Sequence, residues 1–316
     1  MSPRSSASMM FGKVPWAGDF VQSALAPEAE IFRSWLELGI ATASERGEGW
    51  KTGFDAAAQK AFVFPTGEAT VSVGVMKPSR DAVGRRFPLA VFSSLRVESL
   101  LVGPHALPLS LGAFLQGADA VLEQLSTSPS SDPTLALSQI QQPNSTELPL
   151  HLDAYNGWAQ SAALRSAGQA IFGAEWRDRL GHALFVCIES IRPFFGQERP
   201  PTPLAVRLPV GAGFAGAVAF WMQVVRTCSG WRTTVPATVW SFEPSGASVT
   251  LFFGSPNPGA FADLWETAPR SDNLSNLLVD GYPAKLYLAD TRPDLLALLD
   301  SPSATVADLI ARLGPA

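Results

Sequence analysis

The densest run of chemistry-bearing residues in the chain is Gly74-Val-Met-Lys-Pro-Ser-Arg-Asp-Ala-Val-Gly-Arg-Arg-Phe-Pro-Leu89. Four cations, Lys77, Arg80, Arg85 and Arg86, crowd around one carboxylate, Asp81. Arginine offers paired donors to carboxylate or phosphate, so Lys77, Arg80 and Arg86 are candidate contacts for an acidic or phosphorylated partner. Trp16, in a turn beside Gly18, is a candidate apolar anchor next to them. Asp81 and Arg85, four apart, are placed to pair on one turn, and Gly84 lets the backbone leave it. The competing reading is a salt-bridged turn that holds the fold, in which the cations neutralise Asp19 and Asp81. On that reading Asp19 pairs with Arg85 or Arg86, and Asp19→Asn lowers the melting temperature.

Gly211-Ala-Gly-Phe-Ala-Gly216 fits the dinucleotide pattern G-x-G-x-x-G, follows an expected strand and opens an expected helix, with Glu243 as the ribose-binding acid. The acid comes well past the usual ~20 residues, and the strand after the helix reads as half of a hairpin rather than the next step of a βαβ series. A small-residue turn between strand and helix explains the glycines better.

Hydrolase, P-loop, zinc-protease and kinase signatures are missing. His105, His151 and His182 lie far apart, and none has a metal-ligand neighbour at helical spacing. They read as surface or satisfied polar residues. Cys187 and Cys228 lie in apolar helical runs and read as buried thiols in a reducing compartment. No enzyme, cofactor or metal is implied.

The elements that must position these residues follow from periodicity. Lys60–Pro65, Thr70–Met76 and Leu89–Ser94 are strand-length apolar runs, the first two a hairpin and the last two joined by the charged stretch. Pro78 and Pro88 fall at strand ends, where a missing N–H costs no ladder bond. Pro27–Ala43 and Leu107–Leu125 carry helical stripes. Residues 126–149 are rich in Ser, Pro, Thr, Gln and Asn and read as a linker or long loop. Helices are expected over 153–172, 175–193 and 215–228, strands over 203–210, 238–242 and 249–253, and a last strand over 286–289. Residues 295–299 and 306–313 read as terminal helices, with Ser303 or Thr305 a cap. Trp35, Trp176, Trp221, Trp240 and Trp265 fall on core-facing positions.

Length and composition bound the rest. The chain has 316 residues, 47% of them hydrophobic, enough for a large core in one or two domains. A net charge of −5 argues against nucleic-acid binding. No apolar run reaches the ~18 residues of a membrane span, and the first ten residues lack a signal-peptide core, so the expectation is a cytoplasmic protein without membrane insertion.

Phe11-Gly-Lys-Val-Pro-Trp-Ala-Gly-Asp-Phe-Val21 and the Gly74–Leu89 stretch together resemble the two opening blocks of the TagF (ImpM) family, accessory and regulatory proteins of bacterial type VI secretion systems. The motif residues carried over are Gly12, Lys13, Pro15, Gly18, Asp19 and Phe20, then Pro78, Ser79, Asp81, Gly84, Arg85, Phe87 and Pro88. The resemblance covers about residues 11–95. Ala237-Thr-Val-Trp-Ser-Phe242 and Leu251-Phe-Phe-Gly-Ser-Pro256 are similar to a later strand and turn of the family, with Ser241 where a second Trp is often seen. Residues 126–149 and 267–316 carry nothing over.

The expected architecture is α/β, a layered sandwich with a mixed, largely antiparallel sheet flanked by helices. Residues 10–125 are expected to form the TagF-like region, 126–149 a linker or long loop, and 150–316 a second α/β region packed on the first. The resemblance implies a non-enzymatic regulator, associated with repression of secretion after translation, that acts through contact with type VI secretion proteins, notably the forkhead-associated scaffold. The alternatives are a nucleotide-binding enzyme using the Gly211–Gly216 turn, and a structural component of the secretion apparatus.

Overall fold

The computed structural model describes residues 7–129, 132–211, 216–241, 247–266, 272–278 and 283–314. Nine strands among them form one sheet: β1 (Met9–Gly12), β2 (Val21–Gln22), β3 (Lys60–Pro65), β4 (Thr70–Lys77), β5 (Leu89–Arg96), β6 (Ala205–Pro209), β7 (Thr238–Ser241), β8 (Ser248–Phe252) and β9 (Leu274–Asn276). Their order is β2-β1-β5-β4-β3-β7-β8-β6-β9. Every pairing is antiparallel except β6 with β9. The helices are α1 (Ala29–Glu45), α2 (Trp50–Ala56), α3 (Leu107–Ser110), α4 (Gly112–Thr127), α5 (Pro133–Ser138), α6 (Leu148–Ser161), α7 (Leu164–Phe172), α8 (Trp176–Ile191), α9 (Ala217–Ser229), α10 (Phe261–Trp265), α11 (Ala284–Thr291), α12 (Pro293–Asp300) and α13 (Val306–Leu313). This is the layered α/β arrangement the periodicity predicts.

Strand pleating sorts side chains onto two faces. Val63 of β3 and Val71, Val73 and Val75 of β4 join a core with Phe114, Leu122, Leu184 and Trp221 from α4, α8 and α9. Phe62 and Phe64 of β3, Met76 of β4 and Phe92 of β5 point the other way, into a ring-rich core with Phe32 and Trp35 of α1, Phe54 of α2, and Phe261 and Trp265 of α10. Phe32 lies 4.4 Å from Phe62 and 5.1 Å from Phe64, centroid to centroid, within the range where aromatic pairs add to simple burial. The five tryptophans expected in the core are all buried there.

The two chain halves meet inside the sheet, because β3 pairs with β7 from Lys60↔Ser241 to Val63↔Thr238. The stretch read as a linker is folded in part. Asp132 caps α5 by accepting from Thr134 N, and Leu137 and Ile140 are buried. Ala136, Leu137, Ile140 and Leu148 dock it despite its polar composition. Residues 286–289, expected as a strand, lie in helix α11 instead. Asp178, on α8, accepts from Ala284 N at the start of α11, so the cap that starts this helix comes from far along the chain. Thr305 and Asp308 form a reciprocal capping box that starts α13, as the sequence predicts for Thr305.

Candidate functional site

Both motif blocks end at one corner of the sheet. β1 lies beside β5 with Phe11 opposite Ala90, which brings Gly12 against the end of the charged connection. Gly12 has φ +147°, and a Cβ there would sit 2.2 Å from the Pro88 carbonyl oxygen, so only glycine lets the two blocks touch. The connection itself is a short hairpin. Arg80 bridges to Arg86, Phe87 N donates to the Ser79 carbonyl at 3.0 Å, and Gly84 N closes the tip onto the Asp81 carbonyl at 2.9 Å. Gly84 has φ +88°, as a tight tip requires. Ala82 N donates to the Ala17 carbonyl at 2.9 Å and hooks this tip onto the first loop.

Asp81 clamps the assembly. Its Oδ1 accepts from Val83 N at 3.1 Å and Arg85 N at 2.8 Å, and its Oδ2 accepts from Lys13 Nζ at 2.7 Å and Arg85 Nε at 2.6 Å. Arg85 also donates from Nη2 to the Gly18 carbonyl at 2.7 Å, so one guanidinium ties both loops. Burial alone would raise the Asp81 pKa. The Lys13 ammonium, the Arg85 backbone N–H and the Arg85 guanidinium outweigh it and hold the carboxyl well below the ordinary carboxylate range. Lys13 is itself buried, with its Nζ 5.0 Å above the Phe20 ring. Phe20 in turn stacks on Phe11 at 5.0 Å and meets Phe87 edge-on at 4.9 Å.

Asp19 does not take the place expected for it. It is exposed, and its Oδ1 accepts from Phe20 N at 2.8 Å. Arg85 is held by Asp81 and Gly18, while Arg86 makes a two-pronged pair with Asp55 of α2, at 2.8 and 2.5 Å. The buried acid is Asp81, and it takes Lys13 and Arg85.

Nor do the three candidate cations form one patch. Lys77 pairs with Glu123 of α4 at 2.8 Å and Arg86 with Asp55 of α2, helices that cover opposite faces of the sheet. Arg80 is exposed and makes no ion pair among the described residues. The indole N–H of half-buried Trp16 donates to the Leu125 carbonyl at 2.8 Å, near the end of α4, and its ring packs against the core. Pro15 and Gly18 are exposed, Pro78 and Ser79 half-buried, and Phe87 and Pro88 buried.

What the corner presents is different from what charge counting suggests. Phe20 is 39% and Val83 71% exposed, and the Arg85 side chain is 58% exposed beside them. Val83 fills a hydrophobic position just before Gly84 in the second block, but an aliphatic residue in a polar turn gives no local sign that it stays exposed. The corner thus exposes an aromatic from the first loop and an aliphatic and a guanidinium from the hairpin, whose turn Asp81 holds from behind.

Elsewhere the titratable groups are inward. His105, expected at the surface or with its polar atoms satisfied, is buried edge-on to Tyr155, 5.2 Å away, with neither ring nitrogen hydrogen-bonded. Burial, aided by nearby Arg226, pushes its pKa down to about 4. Cys187 and Cys228 are free and buried; burial raises both thiols, Cys228 to about 12, which leaves neither as a thiolate nucleophile near neutral pH. No group of three or more His, Cys, Asp or Glu among the described residues is arranged to hold a metal ion. The Gly211–Gly216 reading rests on residues 212–215 and Glu243, which lie outside the described residues.

Comparison with known proteins yields one family match. Residues 9–140 match the family model of the TagF N-terminal domain, type VI secretion system-associated, a span that contains both loops of the corner. None of the curated proteins compared matches the chain. Among solved structures, the crystal structure of PA0076 from Pseudomonas aeruginosa PAO1 at 2.05 Å resolution is similar at 17% identity and a TM-score of 0.45, covering 88% of this chain and 100% of that one.

Proposed function

We propose that this chain, whose residues 9–140 form a TagF N-terminal domain, type VI secretion system-associated, is a non-enzymatic cytoplasmic accessory protein that regulates such a system by contact. The contact surface is the clamped tip of Phe20, Val83 and Arg85, and the partner is the forkhead-associated scaffold of the same system, whose engagement represses secretion after translation. The observation that supports this reading is the Lys13–Asp81–Arg85 clamp. A buried, multiply hydrogen-bonded carboxylate preorganises a loop tip whose outer face is apolar with one exposed guanidinium. Preorganisation lowers the ordering cost of association, and an aromatic beside an arginine is the composition of interface anchors.

The test is calorimetric titration of the purified chain with the purified scaffold. Val83→Asp places a charge on the exposed tip and keeps the Val83 N–H and the clamp side chains in place, and it is expected to weaken binding by about tenfold or more at an unchanged Tm. Undiminished affinity would remove the tip from the interface. Parallel secretion assays in cells carrying the variant should show derepressed secretion.

A further inference from the structure

At the opposite end of β4 from the clamped tip lies a cavity of about 540 Å³, within the ~300–1,000 Å³ typical of binding pockets. It opens where β3 and β7 part. Their pairing ends at Val63↔Thr238, and Phe64 and Pro65 run on without a β7 partner. Trp35, Phe64 and Phe252 of one core and Val71 and Val235 of the other, all buried, meet there at the strand ends and give it an apolar floor.

The mouth has a different chemistry. Its charged residues are three carboxylates, Glu68, Glu98 and Glu198, and one guanidinium, Arg199. Burial alone would raise the Glu198 pKa, but backbone N–H groups of Arg232, Thr233 and Thr234 hold it below the ordinary value, so it is a fixed anion. Glu68 and Arg199 pair at 2.8 Å with side chains 85% and 59% exposed, a surface bridge that an incoming cation can exchange at little cost. Glu98 is exposed at the lip and makes no ion pair among the described residues. The acids come from three separate segments of the chain and outnumber the one guanidinium, so the mouth carries an excess of negative charge that complements a chain segment with several basic residues.

We infer that this cavity is a second docking site, which accepts an apolar segment of a protein partner flanked by lysine or arginine. Apolar side chains fill the floor, and the flanking cations meet Glu68, Glu98 and Glu198. The site goes beyond the function proposed above and does not rest on it. The eight residues of β4 separate the two ends by roughly 25 Å, so contact at one leaves the other untouched.

The probes are two synthetic peptides, acetyl-Lys-Leu-Phe-Lys-Leu-Arg-amide and a counterpart with Glu at each basic position, titrated into the ¹⁵N-labelled full chain. The basic peptide is expected to shift the amide resonances of Glu68, Val97 and Thr234 saturably, to bind more weakly at raised ionic strength, and to lose about tenfold in affinity against Glu68→Lys/Glu98→Lys. Both substituted residues are exposed, and an unchanged Tm shows that the variant folds. The inference is overturned by any of four results: no saturable shift, equal binding of the acidic peptide, undiminished binding to the double variant, or occupancy by n-octylammonium where the peptide fails. The first three remove the site as a basic-segment dock, and the last makes it a small-cation pocket. None of them bears on the Val83 titration.

Discussion

Asp81→Asn separates a clamp from an ornamental ion pair. The substitution keeps the side-chain shape, and Oδ1 still accepts from Val83 N and Arg85 N, so the turn is expected to survive. What goes is the charge at Oδ2, 2.7 Å from one cation and 2.6 Å from another. Arg85, more than half exposed, can turn to water. Lys13, with only 6% of its side chain exposed, cannot. Stranding the Lys13 ammonium without a partner costs about 3–5 kcal/mol, which corresponds to a Tm lower by about 5–8 °C in a chain of this size. Lys13→Met removes the cation instead and leaves the acid with Arg85 and two backbone donors, so its cost is smaller. In Lys13→Met/Asp81→Asn both charges are gone and the turn bonds remain, so stability returns most of the way toward the parent. Scanning calorimetry of the four proteins closes a double-mutant cycle. A Tm for Asp81→Asn within about 2 °C of the parent, or a cycle that is additive, would refute the clamp.

The same residue sets an acid limit. Its folded pKa lies below the unfolded value near ~3.9, so its stabilisation is whole above that pH and is lost as pH falls toward the folded value; Tm measured from neutral pH down is expected to drop below about pH 4, and less steeply in Asp81→Asn. Trp16→Phe removes the N–H that meets the Leu125 carbonyl, so it is expected to cost about 1 kcal/mol in urea unfolding with partner affinity unchanged. Lost affinity at full stability would make Trp16 an interface anchor.

The central strands are legible because all but their end residues and Ser94 are buried on one face or the other, and the apolar run is long enough to show it. β3 was read with the limits it has, Lys60–Pro65. β1, β2 and β9 have four, two and three residues, too short for any period to register. α2 is seven residues long and contains Gly53, which weakens its helical signal, yet Trp50 and Phe54 hold it against Phe261. α11 failed for another reason. Leu-Tyr-Leu reads as strand locally, whereas its N-terminal donor is satisfied by Asp178, about a hundred positions earlier, and no local window contains both.

The corner shows how far two motif blocks determine a site without their pairing. Sequence placed both blocks together and put Asp81 beside Arg85, which needs only four positions of chain. It assigned the long-range acid to Asp19 because both aspartates sit among glycines and nothing local ranks them. Burial ranks them, and burial is set by the register of β1 on β5 and by the Ala82–Ala17 bond that folds the hairpin tip inward over Lys13. Once Asp81 is inside, it must be met by cations, and Lys13 and Arg85 are thereby committed to holding the loop. Lys77 and Arg86 are likewise drawn to Glu123 and Asp55 on opposite faces. A cluster that looks like a recognition patch in one dimension is therefore largely drawn into ion pairs in three, and the side chains this corner leaves exposed include Arg80, Phe20, Val83 and Arg85.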